Sequence, residues 1–279
     1  QMNIGQFVAA EIVIVLLINS VEKIIFGLES FYDVLTSVEK IGQVTDMETS
    51  CIPETSDKTE KGINIETESI SYNYPGHSKK SLKNINLKIS QGEKIILTGT
   101  NGAGKSTLLR LLSGVLEPES GAMYVTDNYM NRLNEDTYRA QAGTYLQGDT
   151  LFAGTIRENI VFGNEKLNSD DLKWALDNVG LTPYIKTFEN GLENQIHPGG
   201  RELSASDVQK ILLARSIVGK PNILFLEDPV DKMDEITSSK IVDFLLSEEN
   251  DWTVIVTSKS DIWKSKCSRM ITIDDGKII

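Results

Sequence analysis

Ile95-Ile96-Leu97-Thr98-Gly99-Thr100-Asn101-Gly102-Ala103-Gly104-Lys105-Ser106-Thr107-Leu108-Leu109 reads as an apolar strand, a glycine-rich turn and the start of a helix. Within it, Gly99 to Thr107 fits the pattern G-x-x-x-x-G-K-[ST] in the strand–loop–helix setting that the pattern requires. The glycines let the backbone wrap around phosphate, so that successive N–H groups and a helix N-terminus point at negative charge. Lys105 is expected to reach the outer phosphates of a nucleotide and Ser106 to ligate Mg2+. Asn101, Gly102, Ala103, Gly104 and Thr107 complete the candidate binding loop.

Working outward, strand-like runs fall at 63–72, 85–89, 94–97, 122–125, 143–146, 223–226, 254–257 and 270–273. Helical periodicity marks 105–112, 170–179, 205–218 and 236–247. Strands alternating with helices predict an α/β core with parallel strands. The stretch 147–218 lacks good strands and reads as a helical insertion.

Upstream of Pro53 the chain has no proline and only three glycines, Gly5, Gly27 and Gly42. Phe7 to Ile18 is apolar apart from Glu11. Ile24, Leu28, Phe31, Leu35, Val38, Ile41 and Val44 then recur every three or four residues, the mark of one apolar helical stripe. One long helix is expected. The stretch from Met2 to Phe26 has the length of a membrane span, but Gln6, Glu11, Asn19 and Glu22 make it a poor one for lipid. On hydropathy alone it reads equally as a helix packed on partner helices. Polar residues of a span would face other helices or a cavity. Residues 47–62 turn polar around Pro53 and read as a solvated linker.

With 279 residues, 40% of them hydrophobic, the chain can bury one large core. A formal charge of -12 argues against a nucleic-acid surface. Cys51 and Cys267 fit no metal-ligand spacing and read as reduced thiols.

From Ile63 onward the chain resembles the nucleotide-binding domain of ABC exporters. The loop Gly99–Thr107 alone leaves many NTPase families open; the residues around it carry the resemblance. Ile70-Ser71-Tyr72-Asn73-Tyr74-Pro75 looks like the A-loop, and the likeness implies that Tyr74 stacks on adenine. Tyr145-Leu146-Gln147 followed by Leu151-Phe152-Ala153-Gly154-Thr155-Ile156-Arg157-Glu158-Asn159-Ile160 is similar to the Q-loop region. There Gln147 would touch Mg2+ and the attacking water, and would link the nucleotide to membrane helices. The resemblance implies a P-loop NTPase, RecA-like core with an antiparallel β-subdomain and a helical ABC subdomain at about 148–218. It makes 63–279 the nucleotide-binding domain and 47–62 a linker. It makes 1–46 the last transmembrane helix with its cytoplasmic extension, and the start at Gln1 is then read as following further transmembrane helices.

Several motifs depart from the family pattern. The signature LSGGQ stands here as Leu203-Ser204-Ala205-Ser206-Asp207. Two glycines give way to residues with a Cβ, and Asp207 adds negative charge where the γ-phosphate of a partner's ATP would bind. Ser204 is retained as a candidate donor. The Walker B run ends Glu227-Asp228, the reverse of the family's Asp-Glu. Glu227 would approach Mg2+ with one methylene too many, and Asp228 would act as general base with one too few. Lys259 stands in place of the switch histidine and would meet phosphate as a cation rather than as an imidazole. The implied function is ATP binding with slow hydrolysis in an exporter subunit at the cell membrane, its nucleotide-binding domain on the cytoplasmic side. The implied cofactors are ATP and Mg2+. The implied partners are transmembrane helices and a second nucleotide-binding domain, a heterodimer suiting the pattern better than a homodimer. A non-catalytic regulatory half of a heterodimer and, less favoured, a soluble ABC ATPase stay open. No nucleic-acid partner is expected.

Overall fold

In a computed structural model, residues 3–46, 63–76, 80–126, 128–129, 135–164 and 166–279 are described. The expected linker 47–62 lies outside them. Helix α1, Ile4–Thr45, is the expected continuous helix. Large apolar side chains such as Ile12, Leu17, Phe26 and Phe31 remain exposed along it. Among the described residues, however, no helix is long and apolar enough to cross a membrane.

The remainder forms a separate unit built on two sheets. The first is antiparallel, in the order β2-β1-β4-β5, from β1 (Ile65–Tyr72), β2 (Leu82–Ile89), β4 (Ser120–Val125) and β5 (Asn128–Tyr129). The second runs β12-β11-β3-β10-β9-β6. Its members are β3 (Lys94–Thr98), β6 (Ala142–Tyr145), β9 (Ile223–Glu227), β10 (Thr253–Thr257), β11 (Arg269–Asp274) and β12 (Lys277–Ile278). Strands β11, β3, β10, β9 and β6 pair in parallel, as the alternation with helices predicts. Buried on both faces, β9 and β10 read as near-continuous apolar runs.

Helices α2 (Lys105–Leu112), α3 (Glu135–Gln141), α8 (Glu235–Leu246) and α9 (Asp261–Lys266) accompany these strands. The insertion contributes α4 (Ile156–Val161), α5 (Ser169–Asn178), α6 (Thr182–Ile185) and α7 (Ala205–Ile217). It is not wholly helical: β7 (Gly154–Thr155) pairs antiparallel with β8 (Gln195–Ile196). Strand β2 begins three residues earlier than its apolar run predicts, because Leu82 is fully buried and pairs with Tyr72.

Two buried clusters hold the unit. One lies between the antiparallel sheet and α2, with Ile85, Ile95, Leu108 and Phe225 among its members. The other joins the far face of the parallel sheet to the insertion through Ile160, Leu213, Leu224 and Trp263. The two clusters grip opposite faces of β3 and β9, so the loops at the C-terminal ends of these strands are fixed in place. Ligands of open α/β sheets bind at that edge.

Candidate functional site

A cleft of about 630 Å3 opens at that edge. Its floor is the loop from Gly99 to Gly104, entered from β3 and left through α2. Gly99, Gly102 and Gly104 have φ of 134°, 78° and 108°, a region that side chains strain to adopt. Crowding adds to this at two of them. A Cβ on Gly99 would lie 2.0 Å from the Ile273 carbonyl oxygen, and one on Gly104 would lie 2.7 Å from that of Ser81. The neighbouring strand and the β2 edge therefore leave room for backbone only. Ala103 is buried beneath the loop, where its carbonyl accepts the Gly276 N–H at 3.0 Å. The Lys105 ammonium donates to the carbonyls of Gly99 (2.9 Å) and Thr100 (2.8 Å) and so lies over the loop. Ser106 and Thr107 follow it in the first turn of α2.

Tyr74 lines the cleft beyond β1. Its ring meets Tyr72 edge-on at 5.0 Å, and its hydroxyl lies 3.4 Å from that of Thr107. The opposite wall comes from the ends of β6, β9 and β10. The parallel register places Glu227 beside Thr257, which carries Asp228 and Lys259 to the same edge. Glu227 is buried, and its carboxylate accepts the Gln147 N–H at 3.0 Å. Asp228 sits at φ 47°, donates its own N–H to Thr257 and accepts the Lys259 N–H through its carboxylate at 3.1 Å.

Behind this wall Gln209, buried on α7, has its amide nitrogen within 3.0 Å of Tyr145 Oη, Asp228 O and Asp231 Oδ1. Its amide oxygen accepts the Lys232 N–H. Burial opposes ionisation of Asp231, but hydrogen bonds from Lys232 and Gln209 outweigh it and hold that carboxyl below its ordinary range. Burial also raises the Tyr145 hydroxyl.

The structure thus brings Tyr74, Asn101, Gly102, Gly104, Lys105, Ser106, Thr107, Gln147, Glu227, Asp228 and Lys259 around one cleft. Ser204 stands outside it. It caps α7, accepting the Asp207 N–H at 3.1 Å, and its hydroxyl donates back to the Asp207 carboxylate at 2.6 Å. Sequence reasoning missed Ser81 and Lys264, which also line the cleft, the latter with its ammonium 2.6 Å from Asp261. Neither belongs to a motif, and no signal in the chain points to them. It also missed α4, although Thr155 and Glu158 form a capping box that the T-x-x-E spacing announces.

Chemically, the cleft offers backbone N–H groups, three ammonium groups and two carboxylates. Ser106, Gln147 and Glu227 present the hard oxygen donors that suit Mg2+. Among the described residues there is no group of three His, Cys, Asp or Glu able to hold a metal ion. The Ser106, Gln147 and Glu227 oxygens fit a Mg2+ whose shell phosphate oxygens would complete.

The family model for ABC transporters matches residues 82–231. Among similar proteins is the glutathione/L-cysteine transport system ATP-binding/permease protein CydC of Escherichia coli (strain K12). It is 28% identical over 247 residues, covering 88% of this chain and 43% of that protein. ATP-binding cassette sub-family B member 5 of Homo sapiens is 30% identical over 215 residues, 77% of this chain and 17% of that protein. The structure of a bacterial Atm1-family ABC exporter with ATP bound shares the fold, with a TM-score of 0.77 at 20% identity over 88% of this chain and 43% of that one. The chain spans less than half the length of these relatives.

Proposed function

This chain belongs to the ABC transporter family, and from that membership we propose that it is the ATP-binding part of an exporter, coupling nucleotide binding and slow hydrolysis to transport. The observation that carries the proposal is the gathering of Tyr74, the Gly99–Thr107 loop, Gln147, Glu227, Asp228 and Lys259 around one cleft. Tyr74 stacks on adenine. The loop N–H groups and the start of α2 receive the phosphates, and Lys105 exchanges its two carbonyl partners for phosphate oxygens. Ser106, Gln147 and Glu227 would hold Mg2+, which offsets charge on the phosphates. Asp228 takes the proton of the attacking water, and Lys259 adds a fixed positive charge beside it.

Slow turnover follows from distance. Asp228 has one methylene less than glutamate, so its carboxylate stands about 1.5 Å short of where a longer acid would reach. General-base catalysis contributes about 10²–10⁴-fold and depends first on reach. A second nucleotide-binding domain pairs head to tail with this one. A heterodimer suits the pattern better than a homodimer, because an intact partner would supply the signature that this chain has altered. Helix α1 leads towards membrane-embedded helices, its polar residues turned to those helices and its exposed apolar residues covered there. The domain then sits on the cytoplasmic side of the cell membrane.

Two hydrogen bonds favour a second reading, a regulatory half that binds ATP and leaves hydrolysis to its partner. The Asp228 carboxylate is already engaged by the Lys259 N–H, and the Ser204 hydroxyl by Asp207.

Titration with a fluorescent ATP analogue tests the binding reading. Lys105→Ala should weaken affinity by about 2–4 kcal/mol, because it removes charge-assisted contacts to phosphate. Unchanged affinity would overturn the site.

A further inference from the structure

Arg110 lies in the second turn of α2 and belongs to none of the motifs discussed above. Its Nη2 donates to the Gln147 carbonyl at 3.0 Å and stands 3.9 Å from Glu227 Oε2. The same Glu227 oxygen accepts the Gln147 N–H at 3.0 Å. Three residues from three separate elements close a ring. The Gln147 backbone is held at both its N–H and its C=O, once by a carboxylate and once by a guanidinium.

The chemistry of the ring explains its members. The Glu227 carboxylate is nearly sealed from water, and a buried charge is costly unless it is paired and hydrogen-bonded. Arg110 supplies the opposite charge, and the Gln147 amide supplies the hydrogen bond. One guanidinium nitrogen, Nη2, faces both oxygens. We propose that Arg110 is a positioning residue that fastens the Gln147 loop to the end of β9 through Glu227. The loop carrying Gln147 is then set by the same helix whose N-terminus forms the phosphate cradle. Its consequence for nucleotide rests on the functional reading above; the fastening itself does not.

Amide exchange of the full chain without nucleotide tests the fastening. Arg110→Ala should speed exchange of the Gln147 amide about tenfold, the scale of one charge-assisted hydrogen bond. The Phe152 amide, bonded to Asn159 Oδ1 at 3.0 Å, serves as internal reference and should move less than about twofold. Arg110→Lys should restore part of the protection. Unchanged exchange at Gln147, or an equal rise at Phe152, overturns the proposal, the latter because it signals general loosening. A second arm uses the fluorescent ATP analogue with and without Mg2+. Arg110→Ala should cut the gain in affinity that Mg2+ brings by about fivefold, leaving Mg2+-free affinity within about twofold. A larger gain would mean that Arg110 competes with the ion, and would also overturn the role. If Lys105→Ala fails to weaken binding, the nucleotide reading falls while the exchange result still stands or falls by itself.

Discussion

The two halves of the cleft are made of different material. The Gly99–Thr107 half is backbone: its shape depends on positive φ angles and on approaches to Ile273 and Ser81 that admit no Cβ. The half formed by Gln147, Glu227, Asp228 and Lys259 is side chains at strand ends, where the Glu227 and Asp228 carboxylates accept the backbone N–H groups of Gln147 and Lys259. Backbone shape survives only if its few glycines survive, whereas a set of side chains can be exchanged one methylene at a time without disturbing the fold. The cradle therefore tolerates less substitution than the wall that faces it.

Changes to each half should therefore differ in kind. Gly99→Ala should be the most damaging, destabilising the domain by about 3–4 kcal/mol through backbone clash and strained φ. Urea unfolding checks this, and a loss under about 1 kcal/mol would break the distinction between the halves. Asp228→Asn should act the other way. Its amide oxygen can still accept the Lys259 N–H, so unfolding should shift by less than about 0.5 kcal/mol. Turnover, measured with whichever partner supports it, should fall about a hundredfold as the proton acceptor is lost. If turnover does not change, the regulatory reading replaces the catalytic one. Tyr74→Ala should have the smallest effect, weakening adenine nucleotide by about 1 kcal/mol on the scale of aromatic–base stacking. Competition between ATP and inorganic triphosphate checks its origin, since only the nucleotide should lose affinity.

Legibility in the sequence followed the same division. The strand–loop–helix around Gly99 was readable because three local signals coincide there: an apolar run, spaced glycines and a helical run. The parallel strands were readable from their apolar runs and from the helices between them. Two-residue strands such as β7 and β8 have no periodicity to detect, so the insertion read as wholly helical. Ser81, Lys264 and Arg110 reach the site through packing between distant segments, which spacing along the chain does not encode. Ser204 was legible as a donor, but its hydroxyl turns to Asp207, only three residues on. Helix α1 was legible as a helix from its apolar periodicity and its lack of proline.

The backing of the cradle bears on how the molecule is made. Gly99 is shaped against Ile273, and the Ala103 carbonyl is held by the Gly276 N–H. During synthesis the glycine-rich loop emerges long before the strand that completes it. The backing of the cradle is therefore complete only once Arg269–Gly276 has been added to the chain. Contacts so far apart in sequence also slow folding. Until they form, β3 lacks its β11 neighbour and offers an open edge to neighbouring chains.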